Sequence, residues 1–354
     1  VDGLFTSWNE VNLYTTAYVA REMGVPFYAT KEQLDQLVTK YAFKKTCRKY
    51  GVPVIPEFYV GNNLTEKEIA NFEYPVIFKP TDSGGTRGMT ILHSREGVED
   101  AYLKALEASI KKEVVVEKYL SQGQLIVIDI AVQNDDVYIA SVADRSIVRT
   151  SDSAVPLAVS YMYPSKNIAI VEQQVLTPLK DMIHGLGIHN GIISFEGMIS
   201  EDKLFLIETQ FRFGGTHFYK FVEKACGVDL LEMMIEYALK GTYERYEFKG
   251  RLNPYFSSKY ACQNLQVDSG KIVEVKNVDA VKSLQGVDWF VQIKNLGDIV
   301  PNDGSTAQNF AKIGLSEESD QKLYQLMDKI QHTLEVLDEK GNNLVRKNIP
   351  KEYL

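Results

Sequence analysis

Apolar and polar positions alternate between a helical period and a strand period along most of the chain, with Gly and Pro confined to short turns. A helix is expected from about Trp8 to Met23, stopped at Gly24 and followed by Pro26. Thr30-Lys31-Glu32-Gln33 forms a capping box for a second helix, which carries Lys40, Phe43 and Cys47 and ends near Gly51. Beyond Pro53 and Pro56 the period shortens. Strands are expected at Val54 to Val60, Val76 to Lys79, Met89 to Leu92 and Val114 to Glu117. Between them lie a short capped helix from Thr65 to Phe72 and a longer one capped by Ser94 and running to about Ile110. Further strands fit Leu125 to Val132, Val137 to Asp144, Gly191 to Ile199 and Leu204 to Gln210, with a helix from Val171 to Leu186 among them. After Tyr246 the pattern predicts strands near Ile272 to Val275 and Trp289 to Ile293. A helix from Ser316 to about Leu337 follows, with Leu323, Leu326, Ile330, Leu334 and Leu337 on one face. The class is α+β.

With 354 residues and 45% hydrophobic positions, the chain has material for two or three packed domains. Its net charge of −8, with Lys and Arg scattered among acids, argues against a nucleic-acid or anionic-membrane surface, so any polyanion is bound locally. Cys47, Cys226 and Cys262 are far apart and show no metal-ligand spacing, which fits a reducing cytoplasm. The most apolar run, Leu125 to Val132, is interrupted by Asp129 and falls far short of the ~20 residues a membrane span needs. A soluble, cytoplasmic protein is therefore expected.

Two segments carry chemistry. In Phe78-Lys79-Pro80-Thr81-Asp82-Ser83-Gly84-Gly85-Thr86-Arg87-Gly88 a strand-end lysine precedes a small-residue hairpin, and glycines let backbone N–H groups approach phosphate oxygens closely. The order, lysine before glycines, is not that of a Walker A loop. A lone Gly-Gly turn is more often an ordinary hairpin. The second segment is Ile192 to Ile199, a turn, and Leu204 to Arg212. If Glu201, Asp202 and Lys203 form a three-residue loop, Ser200 faces Leu204 and Glu196 stands opposite Glu208, with Gln210 and Arg212 on the same face. Opposed glutamates repel unless a cation sits between them, and two carboxylates with an amide suit a hard, oxygen-seeking ion. A two-residue loop would put the glutamates on opposite faces.

The order of these pieces resembles that of the ATP-grasp ligases, over roughly residues 38–245. Glu208-Thr209-Gln210-Phe211-Arg212-Phe213-Gly214-Gly215 resembles the family's late metal strand, usually Glu-x-Asn-x-Arg followed by glycines. The resemblance implies an ATP-grasp fold in which two α+β subdomains grip the nucleotide, with a hinge near 117–121. It implies that 1–37 ends an N-terminal α/β domain, since Val1 to Ser7 reads as a strand end running into a helix. Residues 246–354 would form a small C-terminal closing domain, most similar to the L-amino acid ligase branch.

Carried over by position, the resemblance makes Lys40 and Lys79 the phosphate-contacting cations, and Ser83, Gly84, Gly85 and Thr86 part of a loop closing over the phosphates, with Arg87 an extra contact. Glu117, Lys118 and Leu120 would meet the adenine. Where the family usually has Gly-x-Glu for the ribose, this chain has Gly123-Gln124-Leu125, leaving Gln124 as the nearest polar substitute. Glu196, Glu208 and Gln210 fall on the metal positions, Gln210 standing where Asn is customary, and Arg212 on the arginine facing the transferring phosphoryl group. Arg145 either points at the reacting groups or pairs with Asp144. His217 is a weak substrate-contact candidate, while His184 and His189 read as helix-end and turn residues. Phe211, Phe213, Phe218, Tyr219 and Phe221 read chiefly as core.

The implied cofactors are ATP and Mg²⁺ (or Mn²⁺). The implied reaction activates a carboxylate as an acyl phosphate and couples it to an amine, releasing ADP and phosphate from small-molecule substrates, and the family-typical assembly is a homodimer. Two rivals stand beside it: a bicarbonate-activating or carbamoyl-phosphate-forming enzyme, and an ATP-binding protein without turnover.

Overall fold

The computed structural model describes residues 1–9, 11–82, 88–120, 123–148, 157–245, 247–302 and 305–349. Three helices open the chain: α1 (Val11–Met23), α2 (Lys31–Leu37) and α3 (Lys40–Lys49). The single helix expected after Thr30 is thus two. Thr39 takes extended backbone (φ −87°, ψ 140°) and its hydroxyl accepts from the Ala42 N–H, restarting the helix at Lys40. Phe43 and Cys47 then face the core, while Lys40, Lys44 and Arg48 occupy successive turns of another face.

A first antiparallel sheet follows, made of β1 (Glu57–Gly61), β2 (Val76–Pro80), β3 (Thr90–Leu92) and β4 (Val114–Lys118) in the order β1-β4-β2-β3. Helix α4 (Glu66–Ile69) links β1 to β2, and α5 (Val98–Ala108) links β3 to β4. Val76, Phe78, Val114 and Val116 alternate onto one face, where Val98, Ala101 and Ala105 of α5 cover them. Gly97, at φ 81°, begins α5 in place of the expected Ser94, because its left-handed backbone turns the chain only at that point.

The remaining chain builds a larger sheet from β5 (Gln124–Gln133), β6 (Asp136–Val148), β7 (Leu157–Tyr163), β8 (Gly191–Ser200) and β9 (Lys203–Gln210). The helix expected from Val171 to Leu186 is divided at Val175 into α6 (Ile168–Gln174) and α7 (Leu176–Gly185). After β9 come α8 (Phe218–Cys226), α9 (Leu230–Lys240) and β10 (Lys259–Gln266), none of them anticipated. The C-terminal part adds β11 (Gly270–Lys271), β12 (Glu274–Lys276), α10 (Val278–Lys282), β13 (Val287–Gln292), β14 (Ile299–Val300), β15 (Asn309–Glu317), α11 (Asp320–Thr333) and β16 (Glu335–Leu337). The last helix begins after Ser319, whose hydroxyl accepts from Lys322 N–H, not at Ser316, which belongs to β15.

The large sheet runs β13-β15-β10-β7-β6-β5-β8-β9, so the C-terminal strands extend the same sheet that carries β8 and β9. Among the described residues no helix is long and apolar enough to cross a membrane.

A polar rung crosses the centre of this sheet. Asp129 pairs in register with Ser141 of β6 and Ser194 of β8, and each serine hydroxyl donates to one of its carboxylate oxygens at 2.6 Å. Asp129 is fully buried, and burial pushes its carboxyl up to about 7, against the pull of the two serines. The folded protein therefore holds a proton there that the unfolded chain releases from about pH 4 upward, so stability falls as pH rises towards 7. At about 1.4 kcal/mol per pH unit, the gap bounds the loss at about 4 kcal/mol. Asp129→Asn removes the titration: its Oδ1 accepts from one serine, and its Nδ2 donates to the other once that hydroxyl turns to accept. Urea unfolding should show wild type losing stability between pH 5 and pH 8 relative to the variant, and parallel pH profiles would contradict the assignment.

Candidate functional site

The β8–β9 hairpin sets the geometry. Glu201 and Asp202, at φ 51° and 58°, form a two-residue turn in which Ser200 pairs with Lys203. The three-residue loop expected from the sequence is not formed. Continued unbroken, this register would oppose Glu196 to Ile207. A β-bulge at Ile207 inserts one residue between the pairs Gly197↔Leu206 and Glu196↔Glu208, and the two glutamates come opposite each other after all. Ser194 then faces Gln210.

Each of these acids has a cation from another element. Arg145 of β6 reaches across β5 to Glu196, with Nη1 at 3.1 Å from Oε2, and Lys40, in the first turn of α3, stands 3.2 Å from Glu208 Oε2. Burial raises the Glu196 carboxyl above its usual range and Glu208 adds to this, while Arg145, Lys40 and Arg212 oppose it. Arg145 does not pair with its neighbour Asp144, which instead accepts hydrogen bonds from Ser165, Lys166 and Asn167. Arg212 is buried, and its Nη1 donates to the Phe213 carbonyl at 2.7 Å.

Two opposed carboxylates with the Gln210 amide on the same strand face are hard oxygen donors of the kind magnesium prefers. The half-buried Glu196, its carboxyl raised, beside a second carboxylate is electrostatically a place for a cation. The residues fit a divalent ion. Among the described residues no three His, Cys, Asp or Glu side chains cluster as ligands, so water and a bound ligand would complete any coordination shell.

The small sheet supplies a second group of charges, with Lys40 close enough to act on it. Lys79, at the end of β2, bonds Glu117 of β4 with Nζ 2.5 Å from Oε2, and the other Glu117 oxygen is held by Lys44 of α3. Lys44 also lies 3.3 Å from Glu57, which Arg48 caps from the outside. Burial works to raise the Glu117 carboxyl, but the two lysines outweigh it and hold it below the ordinary range. Burial also presses the Lys79 ammonium towards its neutral form, and Lys44 and Lys40 add to that against the pull of Glu117.

The Glu117 carboxylate is thus tied to lysines, and Lys118 Nζ donates to the Glu73 and Tyr74 carbonyls at 3.1 and 3.2 Å. Gln124 donates through its amide to the Leu125 and Arg145 carbonyls at 2.8 and 3.2 Å. Leu120 is partly exposed just beyond β4. Ser83, Gly84, Gly85, Thr86 and Arg87 lie outside the described residues. The chain entering them is anchored, because Asp82 accepts from Ser109, Ile110 and Lys111.

The histidines separate as expected. His184 and His189 bond Asp135 in the β5–β6 turn. His217 sits ahead of α8 among Trp8, Tyr219 and Trp289, its imidazole lowered to about 4 by burial and then by Lys312 and Lys220. Phe211, Phe213, Phe218, Tyr219 and Phe221 are core. A cavity of ≈ 650 Å³ beside α8 and α9, lined by Glu223, Asp229, Glu232 and Arg245 among others, shares no residue with the site. Sequence reasoning missed Lys44 and Glu57, although the spacing of four from Lys40 to Lys44 was a usable signal.

Over residues 39–245 the chain matches the family described as carbamoyl-phosphate synthase L chain, ATP binding domain. It is 26% identical over 239 residues to the carbamoyl phosphate synthase large chain of Corynebacterium glutamicum, covering 66% of this chain and 21% of that protein, so it spans about a fifth of that relative's length. Its fold is similar to that of phosphoribosylglycinamide synthetase from Anaerococcus prevotii (TM-score 0.75, 18% identity, 96% of this chain and 83% of that one). The L-amino acid ligase from Bacillus licheniformis is comparable (TM-score 0.74, 19% identity, 96% and 81%). The family match takes in more than half of the chain, and the protein accordingly belongs to the carbamoyl-phosphate synthase L chain ATP-binding domain family, an ATP-grasp family.

Proposed function

We propose that the protein is an ATP-dependent carboxylate–amine ligase acting on small molecules, with residues 38–245 as the nucleotide-gripping unit. The observation that carries this reading is the opposition of Glu196 and Glu208 on adjacent strands, with Arg145, Lys40 and Arg212 acting on them. A substrate carboxylate oxygen attacks the γ-phosphorus as the bond to ADP breaks. The amine nitrogen then attacks the acyl carbon, phosphate leaves, and the amine gives up a proton. Mg²⁺ or Mn²⁺, held by Glu196, Glu208 and Gln210, would neutralise phosphate oxygens.

In this reading Lys40 and Lys79 leave their carboxylate partners for phosphate oxygens, and Ser83, Gly84, Gly85 and Thr86 cover them against water. The Glu117, Lys118 and Leu120 segment meets the base and Gln124 the ribose. Arg212 faces the migrating phosphoryl group, where a planar guanidinium holds two oxygens at once. No enzyme nucleophile is needed, since positioning and electrostatics supply the catalysis.

A second reading, activation of bicarbonate, is favoured by the carbamoyl phosphate synthase relatives. A screen of carboxylic acids crossed with amines, read by ADP release, separates the two: ligase activity requires an acid and an amine together, whereas ADP release with bicarbonate alone would replace the proposal. ATP binding with no ADP from any pair would mean a protein without turnover.

Glu208→Ala removes a strand-face acid and no core volume, so it should lower ADP formation by about two orders of magnitude or more with little change in thermal unfolding. Wild-type turnover in that variant would refute the metal assignment. Arg212→Lys keeps the charge but loses the two-pronged contact, and kcat should fall by roughly 10²–10³. A kcat within a factor of two of wild type would remove Arg212 from the reaction.

A further inference from the structure

Helix α3 carries a cation on each of three successive turns, and together they contact both sheets. Lys40 pairs with Glu208 of the large sheet, Lys44 with Glu117 and Glu57 of the small sheet, and Arg48 with Glu57. The helix is also mounted on the large sheet, because Leu206 of β9 donates to the Pro53 carbonyl at 2.9 Å and Val54 bridges to Leu206. Lys44 itself is 3% exposed, so it is no ligand-contacting cation. Its ammonium is wholly committed to two carboxylates, the buried Glu117 and the half-buried Glu57.

Glu117 divides its oxygens, one to Lys44 and one to Lys79. A buried carboxylate stripped of every partner is strongly unfavourable. If Lys79 moves to a phosphate, Lys44 remains as the counter-charge. We propose that Lys44 is a positioning residue for nucleotide binding: by neutralising Glu117 permanently, it frees Lys79 to exchange that carboxylate for the phosphates of ATP. This rests on the reading of Lys79 as a phosphate contact. Without Lys44, Glu117 would hold Lys79 as its last partner, and the nucleotide would have to pull the lysine away from a bare buried charge.

The test is the affinity for Mg·ATP, measured by titration calorimetry on the full chain, with KM for ATP and kcat beside it. Lys44→Met should weaken ATP binding and raise its KM about tenfold or more, while kcat at saturating ATP stays within about threefold. In a Glu117→Gln background no carboxylate remains to capture Lys79, so adding Lys44→Met there should change affinity less than twofold. Should Lys44→Met fail to fold, Lys44→Gln, which retains a donor to Glu117 but no charge, takes its place with the same expectation. Unchanged ATP affinity in the single variant, a loss confined to kcat, or a tenfold loss that persists in the Glu117→Gln background would each overturn the proposal. Wild-type protein that binds no Mg·ATP would instead overturn the functional reading beneath it.

Discussion

Like charges on directly opposed strand positions, with Cβ atoms about 4.5–5.5 Å apart, are tolerated only where positive charge is brought to them. Glu196 and Glu208 meet that condition through cations from outside their own hairpin, and much of the local architecture follows from it. Arg145 must reach over β5, which it does from the strand beyond. Lys40 must stand in a first helical turn beside β9, which requires the chain to break at Thr39 and restart. The Pro53–Leu206 hydrogen bond and the Val54 bridge then keep that helix against β9. The helix break and the bulge at Ile207 are local irregularities that serve one electrostatic end.

The same hairpin shows how far the site was legible. Strand parity leads from the sequence to an opposed Glu196 and Glu208, and the structure has that pair, but by a different route. The turn is one residue shorter than expected, and the bulge restores the lost residue. Each departure alone would have turned one acid away from the other, because a shift of one residue exchanges the faces of a strand. Bulges leave little trace in composition. Ile207 is an ordinary β-branched strand residue, and only the need to bring two acids together marks its position as irregular.

Elements with clean periodicity were read correctly, as in Val76 to Lys79 and Val114 to Glu117, whereas the first helix ends at Met23 as expected but begins at Val11, beyond the left-handed Trp8. Those read poorly share a physical reason. Lys259–Gln266 is buried on almost every residue, including Gln263, Asn264 and Gln266, whose amides bond backbone carbonyls inside the protein. A strand covered on both faces has no alternation to detect, and polar residues within it suggest a loop. Lys44 escaped for the converse reason: a lysine in a helix is taken for a solvated side chain until its carboxylate partners, 13 and 73 positions away, are brought to it by the fold.

The distribution of charge unites these details. In a chain whose net charge is −8, the described site gathers Lys40, Lys44, Lys79, Arg145 and Arg212 around Glu117, Glu196 and Glu208, with Arg48 and Glu57 balancing each other at the margin. The cations outnumber the acids, and the strain falls on Lys79, whose ammonium is pressed towards neutrality by burial and by its fellow lysines. In the proposed function an arriving polyanion relieves that pressure. Under the proposed function a divalent ion arriving with it meets Glu196 and Glu208 as Lys40 turns to the phosphates, while Glu117, on losing Lys79, keeps Lys44. On that proposal, binding is an exchange of counter-ions in which Lys44 keeps Glu117 neutralised throughout, so no buried carboxylate is left bare.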